Sequence, residues 1–141
     1  MYKTEVILDK PIYVGASILD ISKVCMMDFH YTIIQKEFPG KHRLLYHDTD
    51  SFFYEIIHPD LYEWIKKNKT YFDLSESSRE DLKDDTNKKV LGKFKDEMNS
   101  LIIKEYISLN PKGYSINNLE NNVIINKKVL KGVSKAVVKT K

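Results

Sequence analysis

Residues 44–54 read Leu44-Leu45-Tyr46-His47-Asp48-Thr49-Asp50-Ser51-Phe52-Phe53-Tyr54, two apolar runs with a short polar segment between them. This pattern predicts a β-hairpin with arms at 43–47 and 51–57. Side chains alternate along a strand, so we expect the carboxylates of Asp48 and Asp50 to point the same way. Two like charges held together are costly unless a cation lies between them. The stretch therefore predicts a divalent-metal site at the tip of a hairpin.

Other interpretations of the two aspartates follow from the residues alone. Asp and Ser are common turn formers, because they hydrogen-bond the local backbone. An EF-hand is excluded by spacing, since Phe52, Phe53 and Pro59 stand where it needs an oxygen ligand, a glycine and a glutamate. Two metal-dependent sites remain open at this point. One is the Asp-x-Asp site of a nucleotide-sugar transferase, and the other is a nucleotidyl-transfer site with two metal ions about 3.5–4 Å apart.

Composition favours one globular domain in a reducing compartment. The chain has 141 residues, of which 42% are hydrophobic and 30% charged, as is ordinary for a globular protein. Cys25 is the only cysteine, so an intrachain disulfide and a cysteine-based zinc site are excluded. We find no signal peptide and no apolar run of membrane-spanning length. We therefore expect an intracellular location, nuclear or cytoplasmic, and no membrane partner.

Charge is unevenly distributed along the chain. Residues 1–100 hold 15 Lys/Arg and 18 Asp/Glu, whereas residues 101–141 hold 8 and 2, so a net −3 precedes a net +6. The basic part is the candidate surface for an anionic partner. Within it, Lys112-Gly113-Tyr114 is expected to present a cation and an aromatic ring on one side of a strand, which suits nucleic acid. A solvated lysine and a core aromatic are the plainer interpretation of this tripeptide taken alone.

The remaining patterns predict an α+β fold with one long helix. Apolar residues cover a wide arc of the helix predicted over 16–37, so it should be buried on most of its girth, and Pro39-Gly40 should end it. A second hairpin is expected around an Asn-rich turn at 117–122. The other predicted elements are a short helix over 60–68, a polar, mobile loop over 73–89, and extended segments over 90–97 and 101–107.

Two of these motifs resemble those of a known family. Tyr46-His47-Asp48-Thr49-Asp50-Ser51 resembles the Tyr-x-Asp-Thr-Asp-Ser motif of family B DNA polymerases, the third motif of their palm domain. Lys112-Gly113-Tyr114 is similar to the Lys-x-Tyr motif that follows it. The order and spacing fit the protein-primed branch, found in bacteriophages, linear plasmids and Polinton-like transposons. Residues 10–15, 92–97 and 131–133 are also similar to the transposon and viral members, so the resemblance spans nearly the whole chain.

The resemblance implies a reaction and a set of catalytic residues. The reaction is template-directed transfer of nucleotides from dNTPs to a primer 3′ end, with two Mg²⁺ ions. Asp50 would be a direct ligand of these ions, and Asp48 a second, supporting carboxylate in the same catalytic site. Thr49 and Ser51 would lie beside the nucleotide substrate.

The resemblance also implies a DNA-binding surface. Lys112 and Tyr114 would stabilise the primer end against the template, Tyr46 would shape the floor under the primer terminus, and Lys131 would belong to the same surface. A DNA primer-template is the implied partner, joined in the protein-primed branch by a terminal protein. His47 stands where many members have a small residue, and it would either crowd the primer terminus or offer it a hydrogen bond.

Two earlier palm motifs of the family are missing from this sequence, as are the proofreading exonuclease motifs. One missing motif supplies the other metal-binding aspartate, and the second supplies a helix with a lysine for the triphosphate. We therefore expect a partial palm domain over 1–131, the start of a thumb segment over 132–141, and a missing part supplied in cis or in trans. A site without one key carboxylate holds its ions weakly, so the isolated chain should be inactive. A non-catalytic DNA-binding accessory module and an Asp-x-Asp sugar transferase fragment remain the alternatives.

Overall fold

The computed structural model describes residues 9–110, 112–120 and 123–130, and it has the predicted α+β composition. One long helical stretch is followed by a two-stranded hairpin, a short helix, a turn-rich segment and a three-stranded antiparallel sheet. Within these ranges, no helix has the length and hydropathy needed to cross a membrane. The predicted thumb segment over 132–141 lies outside the described residues.

The long helical stretch begins one turn earlier than predicted. Helix α1 covers Ile12–Asp28, a π-helical turn covers Phe29–Ile34, and the short helix α2 covers Gln35–Glu37. It ends as expected, because the residue before a proline is disfavoured in the helical conformation. Phe38 accordingly leaves the helix at φ −124°, ψ 57°, and Gly40 then takes a φ of +68°.

The prediction that this helix is buried on most of its girth is wrong. Ile18, Leu19 and Ile21 are 61%, 51% and 68% exposed. Burial is confined to the C-terminal part, where Met26 and the π-helical turn are covered. The described part of the chain covers only one side of the apolar surface of this helix. The rest of that surface forms an apolar patch that is open to solvent.

The core forms where the π-helical turn meets the hairpin and the turn-rich segment. The ring of Phe29 stacks on Phe94 at a centroid distance of 4.1 Å and meets Phe72 edge-on at 5.9 Å. Ile34 and Phe38 complete the buried cluster. A π-turn holds more residues than an α-turn, and this one brings both Phe29 and Ile34 to the covered side.

The predicted carboxylate hairpin is present. Strand β1 covers His42–Asp48 and strand β2 covers Ser51–Ile56, paired antiparallel with an irregularity between Leu44 and Tyr46. The hairpin is apolar on both faces. Phe52 and Tyr54 lie against the helix, with ring centroids 6.1 and 5.9 Å from that of His30. Phe53, between them in sequence, lies on the opposite face.

The segment after the hairpin is held largely by turns. Helix α3 covers Leu61–Lys67, as predicted, and the Asp60 carboxylate caps it by accepting from the backbone N–H of Glu63 at 3.1 Å. The stretch predicted to be extended over 90–97 forms no strand; it has turn residues at 91–92 and 97 and one bridge from Phe94 to Phe72. Aspartate side chains organise this segment; Asp96, for example, accepts backbone N–H groups of Met98 and Ser100.

The C-terminal sheet contains the predicted second hairpin with longer strands. Strands β3, β4 and β5 cover Ile103–Asn110, Gly113–Glu120 and Val123–Leu130, with β4 in the centre. Asn117 and Asn118 were expected in the turn, but both belong to β4 and pair with Asn126 and Ile125. Amide side chains stabilise this arrangement, because Asn117 accepts a hydrogen bond from the Asn126 amide at 2.8 Å.

A histidine joins the helix to the hairpin. His30 is 9% exposed, and its Nδ1 lies 2.9 Å from the hydroxyl oxygen of Tyr54. Tyr31 and Phe52 also contact the ring, and the His42 ring lies 5.9 Å away. Burial, and secondarily the charge of His42, lower the pKa of His30 below 6.5. His30 is therefore neutral at pH 7 in the folded chain.

This lowered pKa predicts a loss of stability in mild acid. The unfolded chain takes up a proton at the ordinary pKa, whereas the folded chain resists it, so the stabilisation is complete above pH 6.5 and falls as pH drops below it. The free energy of unfolding, measured with urea at pH 7.5 and 5.5, should decrease by at most about 1.4 kcal/mol per pH unit from this group. His30→Gln should reduce that dependence. His47→Gln, which changes an exposed imidazole, is the control, and an equal reduction in both variants would contradict the assignment.

Candidate functional site

The tip of the hairpin does not have the geometry expected from strand alternation. Strand β1 ends at Asp48 and β2 begins at Ser51, so Thr49 and Asp50 form the turn. Thr49 has a φ of +52°, and the N–H of Asp50 donates to the carbonyl oxygen of Asp48 at 2.6 Å. Strand alternation, from which Asp48 and Asp50 were expected to point the same way, therefore does not apply to this pair, because only Asp48 lies in a strand. Alternation within β1 instead brings Tyr46 and Asp48 to the same face.

Two hydroxyl groups of the tip are turned towards Asp48. The Thr49 hydroxyl donates to the Asp48 Oδ1 at 3.1 Å, and the Ser51 hydroxyl donates to the Asp48 carbonyl oxygen at 3.1 Å. The Asp48 side chain is only 12% exposed, whereas Asp50 is exposed. The four residues therefore form a compact tip with one sheltered carboxylate and one open carboxylate.

Lys112 reaches this tip from the C-terminal sheet. Its ammonium Nζ lies 3.2 Å from the Asp48 Oδ1, and its backbone N–H donates to the Tyr46 hydroxyl at 2.9 Å. Lys112 precedes β4 rather than lying in it, which differs from the prediction, and it has a left-handed φ of +64°. The two contacts join motifs that are distant in sequence, since Tyr46 and Lys112 are 66 positions apart in the chain.

Four aromatic rings form the joint beneath this contact. The Tyr114 ring lies 5.5 Å from Tyr46 and 5.0 Å from Phe53, and the Tyr106 ring lies 5.3 Å from Phe53. Such edge and tilted arrangements stabilise beyond the apolar area they bury. We define Tyr46, Phe53, Tyr106 and Tyr114 as the aromatic joint.

Sequence reasoning missed two members of the aromatic joint. Phe53 carries a usable signal, because consecutive apolar residues on a strand point to opposite faces and indicate that both faces are covered. Tyr106 carries none, since its contact with the hairpin depends on the register of β3 on β4, where it is paired with Ile116.

The other two residues expected near the primer do not belong to this cluster. The ring of His47 lies 5.1 Å from that of Phe52, on the helix side of the hairpin, so its effect on a primer terminus stays a prediction. Lys131 lies outside the described residues. The DNA-binding surface expected from the sequence is therefore represented by Tyr46, Lys112 and Tyr114.

The donor set at the tip does not fit a complete site for two Mg²⁺ ions. Two carboxylates are present, and the cation that contacts Asp48 is the ammonium of Lys112. Nowhere in the described ranges do three or more His, Cys, Asp or Glu side chains converge in a way that could hold a metal ion. A two-ion site needs further carboxylate ligands from outside this set.

A separate cavity lies on the helix side of the hairpin. It has a volume of about 240 Å³, and its walls include Phe29, Phe52, Tyr54, Trp64 and Phe72. None of the tip residues or Lys112 lines it. Its walls combine this apolar core with polar residues of the turn-rich segment, such as Asp73, Glu76 and Asp96, so it is distinct from the hairpin tip.

The chain matches no protein-family model, no curated protein and no solved structure. Its interpretation therefore depends on the sequence motifs and on the geometry just described.

Tyr46 should fix the backbone at Lys112. Tyr46→Phe removes the oxygen that accepts the Lys112 N–H and keeps the ring, so we expect about 0.5–1.5 kcal/mol of destabilisation. In the same variant the Lys112 amide proton should exchange faster with solvent, which NMR can follow residue by residue. Tyr13→Phe removes the hydroxyl of a residue that is 88% exposed and is the matched control. Unchanged exchange at Lys112 in Tyr46→Phe would contradict this role.

Proposed function

We propose that this chain is the C-terminal part of the palm of a family B DNA polymerase. One observation carries the proposal. The Lys-x-Tyr residues Lys112 and Tyr114 pack against the hairpin that bears Asp48 and Asp50, with an ion pair of 3.2 Å and a ring contact of 5.5 Å to Tyr46. A lone Asp-x-Asp turn or a lone lysine has many uses, whereas a lysine and an aromatic ring beside carboxylates are the groups needed to hold a primer end at a nucleotidyl-transfer site.

The primer side of the proposed site follows from the chemistry of these groups. A lysine ammonium is a partner for a backbone phosphate, and an aromatic ring is a stacking surface for a sugar or base. The aromatic joint orients Tyr114, and the Tyr46 hydroxyl anchors the backbone of Lys112. Because both supports come from the hairpin, the phosphate contact and the carboxylates keep a constant separation.

The catalytic side of the proposed site is incomplete in this chain. Asp48 and Asp50 would contribute to binding two Mg²⁺ ions, which supply charge stabilisation in nucleotidyl transfer, only together with further ligands. We propose that a polypeptide segment carrying another aspartate and a triphosphate-binding lysine supplies them, in cis or in trans. The exposed apolar residues of α1, among them Ile18 and Ile21, support such a partner, because large apolar patches mark interaction surfaces.

A non-catalytic nucleic-acid-binding module is the second candidate. It is favoured by one contact, the ion pair of 3.2 Å between Asp48 and Lys112, in which the carboxylate stabilises the position of the lysine. A module of this kind would use Lys112 and Tyr114 to bind DNA, and its aspartates would serve only the fold.

We expect that the isolated chain does not extend a primer. An extension assay with a labelled primer-template, all four dNTPs and either Mg²⁺ or Mn²⁺ should give no product above the reaction without protein, because the metal ligand set is incomplete. An active DNA polymerase on the same primer-template is the positive control. Robust incorporation by the isolated chain would contradict the incomplete site.

Binding to DNA should occur without catalysis and should depend on salt. Lysine contacts to phosphates release counterions, so affinity for a primer-template should fall as KCl rises. Lys112→Ala should weaken binding and reduce the log–log salt slope by roughly 0.9. Combining it with Lys131→Ala and Lys135→Ala should weaken binding further. Lys36→Ala, on α2 away from the hairpin tip, is the control. An affinity that does not depend on the KCl concentration, or that is unchanged in the triple variant, would argue against this DNA-binding surface.

A further inference from the structure

The ion pair with Asp48 determines whether Lys112 is available to a phosphate. The Asp48 side chain is 12% exposed and the Lys112 side chain is 50% exposed, with 3.2 Å between Oδ1 and Nζ. The carboxylate is therefore held in place within the tip, where Thr49 donates to the same oxygen. The ammonium stands on a long, half-exposed side chain whose backbone is anchored to Tyr46. Of the two partners, the lysine head group is the one able to move.

We propose that Asp48 is an autoinhibitory partner of Lys112, which an anionic phosphate must displace before it can bind. This inference rests on the proposed function and adds a means of regulating phosphate binding to it. In the described structure, the ammonium that the primer phosphate needs is already neutralised by the carboxylate. A phosphate can bind the Lys112 ammonium only if this ion pair breaks. The free energy of the ion pair is therefore subtracted from the free energy of phosphate binding.

The alternative role for Asp48 predicts the opposite result. If Asp48 favoured phosphate binding by holding a divalent cation, loss of its charge would weaken binding. If Asp48 masks Lys112, loss of its charge strengthens binding. The same substitution, Asp48→Asn, therefore separates the two roles by the direction of its effect, and it preserves the size of the side chain.

The first measurement is a binding cycle on the full chain with a primer-template oligonucleotide at low salt, with Mg²⁺, where the two roles of Asp48 predict opposite effects, and also without divalent cations. Partly exposed ion pairs are modest in strength, so Asp48→Asn should raise affinity about two- to fivefold. Asp50→Asn removes the same charge from the exposed turn residue and controls for general repulsion, and it should raise affinity less. The gain should disappear in Asp48→Asn combined with Lys112→Met. An equal gain in both asparagine variants, or a gain that survives Lys112→Met, overturns the proposal.

The second measurement tests the masking without nucleic acid. Lysines are reductively ¹³C-methylated, which keeps their charge, and the Lys112 signal is identified by its absence in Lys112→Met. Inorganic pyrophosphate is then titrated into the wild-type chain and into Asp48→Asn. The Lys112 signal should shift at a lower pyrophosphate concentration in the variant, and equal midpoints overturn the masking. If the midpoints differ but no variant binds the oligonucleotide, the masking stands and the proposed polymerase function fails.

Discussion

The packing of the aromatic joint is the constraint on which the candidate site depends. The hairpin is apolar on both faces, with Phe52 directed at the helix and Phe53 directed at Tyr106 and Tyr114. The hairpin therefore cannot shift relative to either neighbour without losing ring contacts on one side. Its tip is short and polar, and it is carried to a defined position beside the loop before β4. Lys112 meets Asp48 because these rings set the distance between the two sheets.

The two carboxylates at the tip differ in how their charges are accommodated. Asp48 is sheltered, accepts a hydrogen bond from a hydroxyl group and forms an ion pair with an ammonium, so its negative charge has a partner within the chain. Asp50 remains exposed at the turn. This division explains how the tip is compatible with a folded chain although two carboxylates lie two residues apart. It also affects binding, because any phosphate or cation that approaches the tip must compete with the existing ion pair between Asp48 and Lys112.

The sequence was sufficient for the local elements and insufficient for what covers them. The hairpin was predictable, since a turn-forming segment separates two apolar runs, and α3 was predictable from Asp60 and the pattern after it. The relative direction of Asp48 and Asp50 was not predictable, because alternation stops where the strand ends, and periodicity does not mark that residue. Burial of the long helix was overestimated for a related reason. An apolar arc indicates which face can be buried, and only the tertiary arrangement decides whether anything covers Ile18 or Ile21.

The site was predictable as two motifs and not as one cluster. Lys112 and Tyr114 could be singled out beside Asp48 because the resemblance to family B polymerases links their motifs. The contact itself depends on strand register and on rings such as Tyr106, which no local pattern connects to the hairpin. The functional proposal therefore gains its weight from the meeting of residues that are 66 positions apart.

That meeting is tested most directly by nuclear Overhauser effects between aromatic side chains in the isolated chain with ¹³C-labelled tyrosine and phenylalanine. Cross-peaks are expected from the ring protons of Tyr114 to those of Tyr46 and Phe53, whose centroids lie 5.5 and 5.0 Å away. Cross-peaks between Phe29 and Phe94, 4.1 Å apart in the core, report that the chain is folded. If the core cross-peaks appear and none is seen from Tyr114 to the hairpin, the packing of the aromatic joint is contradicted.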